Sequence, residues 1–561
     1  ASVLDWDANR DMFLQAKLKE LSVNQPGLSY YMNNLTGSVP AILQRLGYIQ
    51  FVGSADGYIH HLQVDGLLKT AAGSIDADLM IQSDEHYNRT YSGGIISENL
   101  HLGKLLNDSK FGQTNFNIEL EGFNYQNKYP ESYIKGIVNT FDYSDYCYEN
   151  ITLDGIYKDG GFNGRLALDD ENGSVWIDGT FNVVRDVSEF NLRAQVKNLR
   201  PNELHLSDKY VDSDISLNLM ADFTGSSVDD MNGRIRLDSL IMNAPDDKGY
   251  FLDNLTITSG PVAGGREIQI LSPFLTAVMR GKYSLETIPA SMLKVVQQYI
   301  PSLFPLKKGS KVLDNNFKFD VYLSNAELFK KMFFIPLDIH FPVTLKGYVN
   351  DVDGRLQVEG AFPSLTYNGT LYESGTLFCE NPSNQLNCRL RGNMLMGSGA
   401  MLTLSVNAEA EQDRLKTKVN WGNNTDVTYG GEFSAITRFS KTKGKSPILQ
   451  ADIDILPTTV VLNDTIWNIR SSHVAIDSGR VHVDNFLFER PGQYLRIDGK
   501  IAKQETDSCI IDLKNIDVQY VLDIVKFDDV EFGGLATGKV CLKNILDKPD
   551  LKTRLNVHNF T

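Results

Sequence analysis

Apolar and polar residues alternate along almost the whole chain, in short runs closed by turn-forming clusters such as Asp-Gly, Asn-Gly and Gly-Gly. A period of two marks strands with one apolar and one polar face. The runs recur about every 10 to 14 residues, which is hairpin spacing, so neighbouring strands are expected to pair antiparallel. On the order of 40 strands fit at that spacing, and an open sheet of so many curls, splits or flattens. One template recurs in LQVDGLL (62–68), IELEGFN (118–124), ITLDGIY (151–157), VWIDGTF (175–181), AVMRGKY (277–283), VTLKGYV (343–349), LQVEGAF (356–362), CRLRGNM (388–394) and LRIDGKI (495–501). Apolar residues stand two and four positions before its glycine and two after, except at Asn124, and a charge of either sign stands immediately before it. The glycine thus shares the apolar face and the charge takes the other. The expected fold is all-β with a few short helices: a long, curled, mainly antiparallel sheet forming an open half-pipe, or taco, with an apolar inner groove. Leu62, Val64, Leu68, Val175, Ile177, Phe181, Val343, Leu345, Val349, Leu356, Val358, Phe362, Leu495, Ile497 and Ile501 are the candidate groove lining. Gly66, Gly155, Gly179, Gly281, Gly347, Gly360, Gly392 and Gly499 are the candidate points of curvature.

A few segments depart from this period. IPASMLKVVQQYIPSLF (288–304) has Pro289 in a first helical turn and repeats Met292, Val295, Val296, Tyr299 and Leu303 at helical spacing until Pro301. SNAELFKKMFF (324–334) opens with a capping box, Ser324 to Glu327, ahead of Leu328, Phe329, Met332 and Phe333. Both helices are expected to plug a sheet edge or end. A longer repeat relates FLQAKLKELSV (13–23), FNLRAQVKNLR (190–200) and CIIDLKNIDV (509–518), each read as a strand ending near a Lys-containing turn, with a short helix after the first and third. AILQRLGYIQFVGSADG (41–57) matches YVLDIVKFDDVEFGGLATG (520–538) in a helix, an apolar-x-Phe pair and spaced glycines. Units repeated on this scale rely on stacked neighbours to complete a core. No linker or low-complexity tract intervenes, so 1–561 reads as one repetitive body with approximate sub-units 1–189, 190–287, 288–508 and 509–561. The chain opens and stops in mid-pattern and is expected to be a segment of something longer.

Asp and Glu number 70 against 54 Lys and Arg, a formal net charge of −16. Nucleic acids and anionic headgroups call for basic stripes. Nucleic acid is therefore not an expected partner, and contact with lipid must be mainly hydrophobic. The five cysteines, Cys147, Cys379, Cys388, Cys509 and Cys541, cannot all pair with one another. Cys379 and Cys388 flank a turn-rich stretch that fits a hairpin, either as a disulfide of an oxidising compartment or as two cross-strand thiols.

Catalytic signatures are missing from the sequence: there is no GxSxG, phosphate-binding GxxxxGK, HExxH or paired-Cys metal motif. His60 and His61 are adjacent and point to opposite faces of a strand, and His205, His473 and His482 read as solvent-facing. Acidic pairs such as Asp169/Asp170 fit turn chemistry better than acid–base catalysis. No enzymatic activity, metal or cofactor is expected.

Three longer passages carry a family resemblance: IQFVGSADG with VDGLLKTAAGSIDADL (64–79), ITSGPVAGGREIQILSPFLTAVMRGKY (257–283) and LPTTVVLNDTIWNIRSSHVAIDSGRVHVDNFLFERPGQYLRIDGK (456–500). In their order they resemble the AsmA-like superfamily, specifically the TamB-type proteins (translocation and assembly module) of diderm bacteria. The resemblance implies a bridge-like lipid transfer protein. Such a protein has an inner-membrane anchor helix, a periplasmic half-pipe of β-sheet whose groove shields acyl chains, and an end that meets an outer-membrane barrel of the TamA or BamA type. This chain would be a stretch of groove conducting phospholipid between the membranes and supporting outer-membrane biogenesis, with the anchor and the barrel-binding region outside it. Two other readings stand beside it. One is a chaperone that pairs strands of nascent outer-membrane barrel proteins with open sheet edges. The other is a secreted polysaccharide-binding β protein, which would gather its aromatics, whereas Trp6, Trp176, Trp421 and Trp467 are scattered.

Overall fold

The computed structural model describes residues 2–3, 13–24, 26–27, 45–58, 60–84, 88–124, 131–183, 187–244, 247–304, 314–396, 399–423, 428–442, 447–477, 480–501, 507–517, 533–543 and 550–559. Among these are 35 strands, all in one antiparallel sheet, with the short helices Leu102–Leu106, Ile288–Gln297 and Glu327–Phe333. The helices expected after the first and third long repeats, and most of the one expected near 41, lie outside the described residues.

The chain forms two compact units, Ala1–Gly260 with Ile270–Pro273, and Pro261–Gln269 with Phe274–Thr561. In the first, strands from Phe13–Asn24 to Asp247–Val262 pair with their sequence neighbours throughout. In the second, the meander is interrupted where two short strands share one position. Leu337–Phe341 and Val343–Asn350 both pair with Arg355–Tyr367, and Leu449–Ile455 and Thr458–Leu462 both pair with Gly430–Lys441.

Register explains why the charge of the template takes either sign. Glu119, Lys135, Asp154, Arg165, Asp178 and Arg193 stand side by side on consecutive strands with alternating sign. Arg165 Nε lies 3.6 Å from Asp178 Oδ1. In the second unit Lys346 Nζ lies 3.0 Å from Glu359 Oε2 and Lys418 Nζ 2.7 Å from Glu432 Oε2. Opposite-charge cross-strand pairs contribute only about 0.2–1 kcal/mol each, but like charges in a slipped register are destabilising, so the ladder fixes alignment.

The Lys-containing turns expected at the ends of the long-repeat strands are β-bulges inside or at the end of those strands. Register shifts fall between Leu18 and Leu21, Val196 and Leu199, and Leu513 and Ile516. The same device recurs between Ser97 and Leu100 and between Val483 and Phe486. In four of these bulges the extra residue is an asparagine in the left-handed region, Asn99 (φ 53°), Asn198 (48°), Asn485 (49°) and Asn515 (50°). Asparagine tolerates that conformation better than most non-glycine residues. Its backbone N–H, displaced from the ladder, donates to a side chain on the next strand: Asn99 to Asn115 Oδ1 (2.6 Å), Asn198 to Ser216 Oγ (2.8 Å), Asn485 to Asp498 Oδ2 (3.2 Å) and Asn515 to Thr537 Oγ1 (3.0 Å). The inserted residue lets apolar positions three apart keep one face, as with Leu513 and Ile516, both buried.

Gly499 sits against such a bulge. Its partner is Val483, the residue before the bulge, and Asp498 beside it accepts the Asn485 N–H. Its φ is 127°, and a Cβ there would collide with the Ser508 carbonyl oxygen of the other neighbouring strand. Gly538 repeats the arrangement, with φ 145° beside Thr537 and the Asn515 bulge.

Both helix boundaries differ from expectation. Ile288–Gln297 stops short of Pro301 because the chain turns to meet a hairpin: Asp413 N donates to Tyr299 O (2.8 Å), and Ser302 N and Oγ donate to the Asp413 carboxylate (2.7 and 2.9 Å). The capping box does not form. Asn325 Oδ1 accepts the Glu327 N–H (2.6 Å), Ala326 is the N-cap, and Ser324 Oγ donates to Phe274 O (3.3 Å).

The segment 284–304 crosses one row of strand ends, and Asp351 holds it there with a fully buried carboxylate. Ser291 Oγ (2.6 Å), Asn315 N (3.0 Å) and Lys294 Nζ (3.1 Å) all donate to it. Burial opposes its ionisation, but these donors outweigh burial and hold its pKa below the ordinary value of 3.8. A depressed folded-state pKa contributes stability that is present above the unfolded-state value and lost as pH falls through the folded one. Acid unfolding of the wild type should therefore steepen below about pH 4. Asp351→Ala should remove that contribution, strand buried donors, and lower stability by about 1–3 kcal/mol in urea titrations at neutral pH. Gly499→Ala, forced into strained backbone, should cost about 1–3 kcal/mol. Gly360→Ala, whose Cβ would press only on the flexible end of Leu345 at 3.2 Å and meet Leu377 Cβ and Thr344 O at ordinary contact distances, should stay within about 0.5 kcal/mol of wild type.

Candidate functional site: the apolar face

In the first unit the register aligns the apolar face into rows that cross the strands. Ile151, Leu168, Val175, Val196 and Leu217 form one, and Leu153, Leu166, Ile177, Ala194 and Leu219 the next. Beside them run Gly155, Gly164, Gly179, Leu192 and Ala221, and then an aromatic row, Tyr157, Phe162, Phe181, Phe190 and Phe223. Ring centroids in that last row are 5.7 Å apart for Phe162 and Phe181 and 4.7 Å for Phe190 and Phe223. The aliphatic rows are only half-buried, as are Leu62, Val64 and Leu68.

The rings change the reading of the glycines. A Cβ on Gly155 would lie 2.6 Å from Phe162 Cζ, one on Gly66 2.8 Å from Phe51 Cζ, and one on Gly347 2.6 Å from Phe319 Cζ. At these positions a neighbouring ring fills the notch that the glycine leaves, the packing called aromatic rescue. Gly179, Gly281 and Gly499 have positive φ and a close backbone neighbour, while Gly360 and Gly392 have more room. The rings were legible as an aromatic residue two before a glycine, in FVG (51–53) and FNG (162–164), since residues two apart share a face.

The second unit divides the remaining candidates. Val343, Leu345 and Phe362 are half-buried. Val349, Leu356 and Val358 are 0, 5 and 7% exposed, on strands contacted by the helix Ile288–Gln297, whose Val295 is fully buried. Leu495 and Ile497 pack against a cluster of Trp467, Ile511, Leu513, Ile516 and Val540. Trp467 stacks on Phe488, with centroids 4.7 Å apart. Ile501, opposite Val481, is half-buried. Between these packed regions Val321, Leu345, Gly360, Leu377, Leu390, Val406 and Val419 lie in register, with Leu390 39% exposed and the others half-buried.

Cys379 and Cys388 are direct cross-strand partners on the apolar face and are joined as a disulfide, with Cα atoms 4.1 Å apart. The charged face carries shallow depressions, one lined by Lys135, Asp154, Arg165 and Trp176. His473, read as solvent-facing, has Nδ1 2.9 Å from Asp454 Oδ1 and Nε2 3.6 Å from Asp452 Oδ1, and with Arg438 it lowers the Asp454 pKa. Asp170 is a turn acceptor, bonded by Glu149 N (3.1 Å), Asn172 N (2.9 Å) and the Tyr146 hydroxyl, whose pKa burial and Asp170 push up to about 12. Among the described residues no three His, Cys, Asp or Glu side chains gather as a metal site.

No protein-family model, curated protein or solved structure matches the chain. With Cys379 and Cys388 bonded, denatured protein kept oxidised should titrate three thiols, those of Cys147, Cys509 and Cys541. All five cysteines should react after reduction.

Proposed function

We propose that this chain shields lipid acyl chains on its apolar face and is a periplasmic segment of an AsmA-like, TamB-type protein that conducts phospholipid between two membranes. One observation carries the reading: row after row of aliphatic side chains lies in register and only half-buried, as at Leu153, Leu166 and Ile177. Acyl chains laid on those rows would leave water at about 0.8 kcal/mol per methylene, with headgroups at the solvent. Such binding needs no sequence-specific contact. The disulfide favours an oxidising compartment.

Native mass spectrometry with lipid extraction tests this. The protein should carry phospholipid, and Ile177→Arg, which puts a charge into the half-buried row, should reduce the bound lipid several-fold while the unfolding midpoint shifts only slightly. Lipid-free protein would contradict it, and copurified unfolded barrel protein would count for the chaperone reading.

A further inference from the structure

The two rims of the second unit differ in chemistry. At one rim the hairpin ends carry Asp351, Asp353, Asp413 and Arg414, and segment 284–304 docks across them. At the other, the tip of helix Glu327–Phe333 and successive hairpin ends are apolar and exposed: Phe333 62%, Phe334 52%, Tyr367 51%, Met396 42%, Tyr429 40% and Ile466 60%.

Pairing makes these tips neighbours. Asn368 N donates to Pro336 O (2.9 Å), Asp464 N donates to Thr428 O (3.2 Å), and the strands between pair consecutively. Strand spacing gives the line a length of roughly 30 Å. Among the described residues 333–336, 367–370, 395–396, 399–401, 428–430 and 462–466, Asp464 is the only charged one, and its Oδ1 accepts the Thr428 N–H (2.8 Å). Lys330, next to this line, is held by Asp338 at 2.7 Å.

We propose that this aromatic rim, whose described residues carry Asp464 as their only charge, is a contact surface for a neutral, zwitterionic phospholipid bilayer. Phe, Tyr and Met side chains partition to the boundary between headgroups and acyl chains. With no basic residue among the described residues of the line, anionic lipid adds no attraction. The strands behind the tips place the apolar face next to the contacted leaflet. Vesicle binding by the rim requires no lipid on that face, so the proposal stands or falls separately from the shielding reading.

The test is flotation of the full chain with phosphatidylcholine vesicles and with vesicles containing phosphatidylglycerol. The wild type should float with phosphatidylcholine and gain nothing from phosphatidylglycerol. The variant Phe333→Ser/Phe334→Asn/Met396→Ser, which keeps an αL-tolerant residue at Phe334 (φ 55°), should bind about tenfold more weakly. It should retain its unfolding midpoint and any copurified phospholipid. Tyr429→Ser/Ile466→Ser, on different hairpins, should weaken flotation as well, and Val352→Ser on the opposite rim should not. Absence of flotation by the wild type, rim variants that float as well as the wild type, dependence on phosphatidylglycerol, or a wild-type dimer that the rim variants abolish would each overturn it.

Discussion

Everything in this fold depends on keeping a period-two pattern in phase across consecutive strands. A slip of one residue would turn every apolar side chain of a strand to the charged side. The charge ladder from Glu119 to Arg193 resists such a slip within the ordinary strands. The asparagine bulges handle the places where phase is changed on purpose. An extra residue would invert the faces beyond it. Here it is absorbed in the αL conformation, its N–H is taken up by a neighbouring side chain, and the apolar face continues from Leu513 to Ile516.

That face is not uniform. Aromatic rings close the notches over Gly66, Gly155 and Gly347. Val349, Leu356 and Val358 are buried on strands that the helix Ile288–Gln297 contacts, and Leu495 and Ile497 pack against the cluster that includes Trp467. Between and before those places the aliphatic rows are only half-buried. Lipid shielding on our reading is therefore a property of the half-buried stretches, of which Ile177 is part, while Val358 is buried within the protein.

The strand texture, the antiparallel pairing, the assignment of the template to two faces and the hairpin of Cys379 and Cys388 could all be read from the sequence, because period and turn chemistry are local. What escaped it depends on contacts across strands. LKNID looked like a turn because Lys-Asn reads as one locally. It is a bulge because Thr537, on the next strand, accepts the Asn515 N–H. Ser324 and Glu327 had the spacing of a capping box, yet Asn325 and the Phe274 carbonyl compete for the same groups and win. Gly499 looked like a point of bending, and its positive φ with the Ser508 carbonyl on the next strand shows why a side chain there is strained.

The central claim is that the half-buried rows of the first unit hold acyl chains. A photocrosslinking residue placed at Leu153, Leu166 or Ile177 tests it most directly, with Asp154, Arg165 and Asp178 on the opposite face as controls. The account predicts covalent capture of phospholipid at the first set and none at the second. Equal labelling of the two faces, or capture of polypeptide alone at the apolar positions, would contradict it.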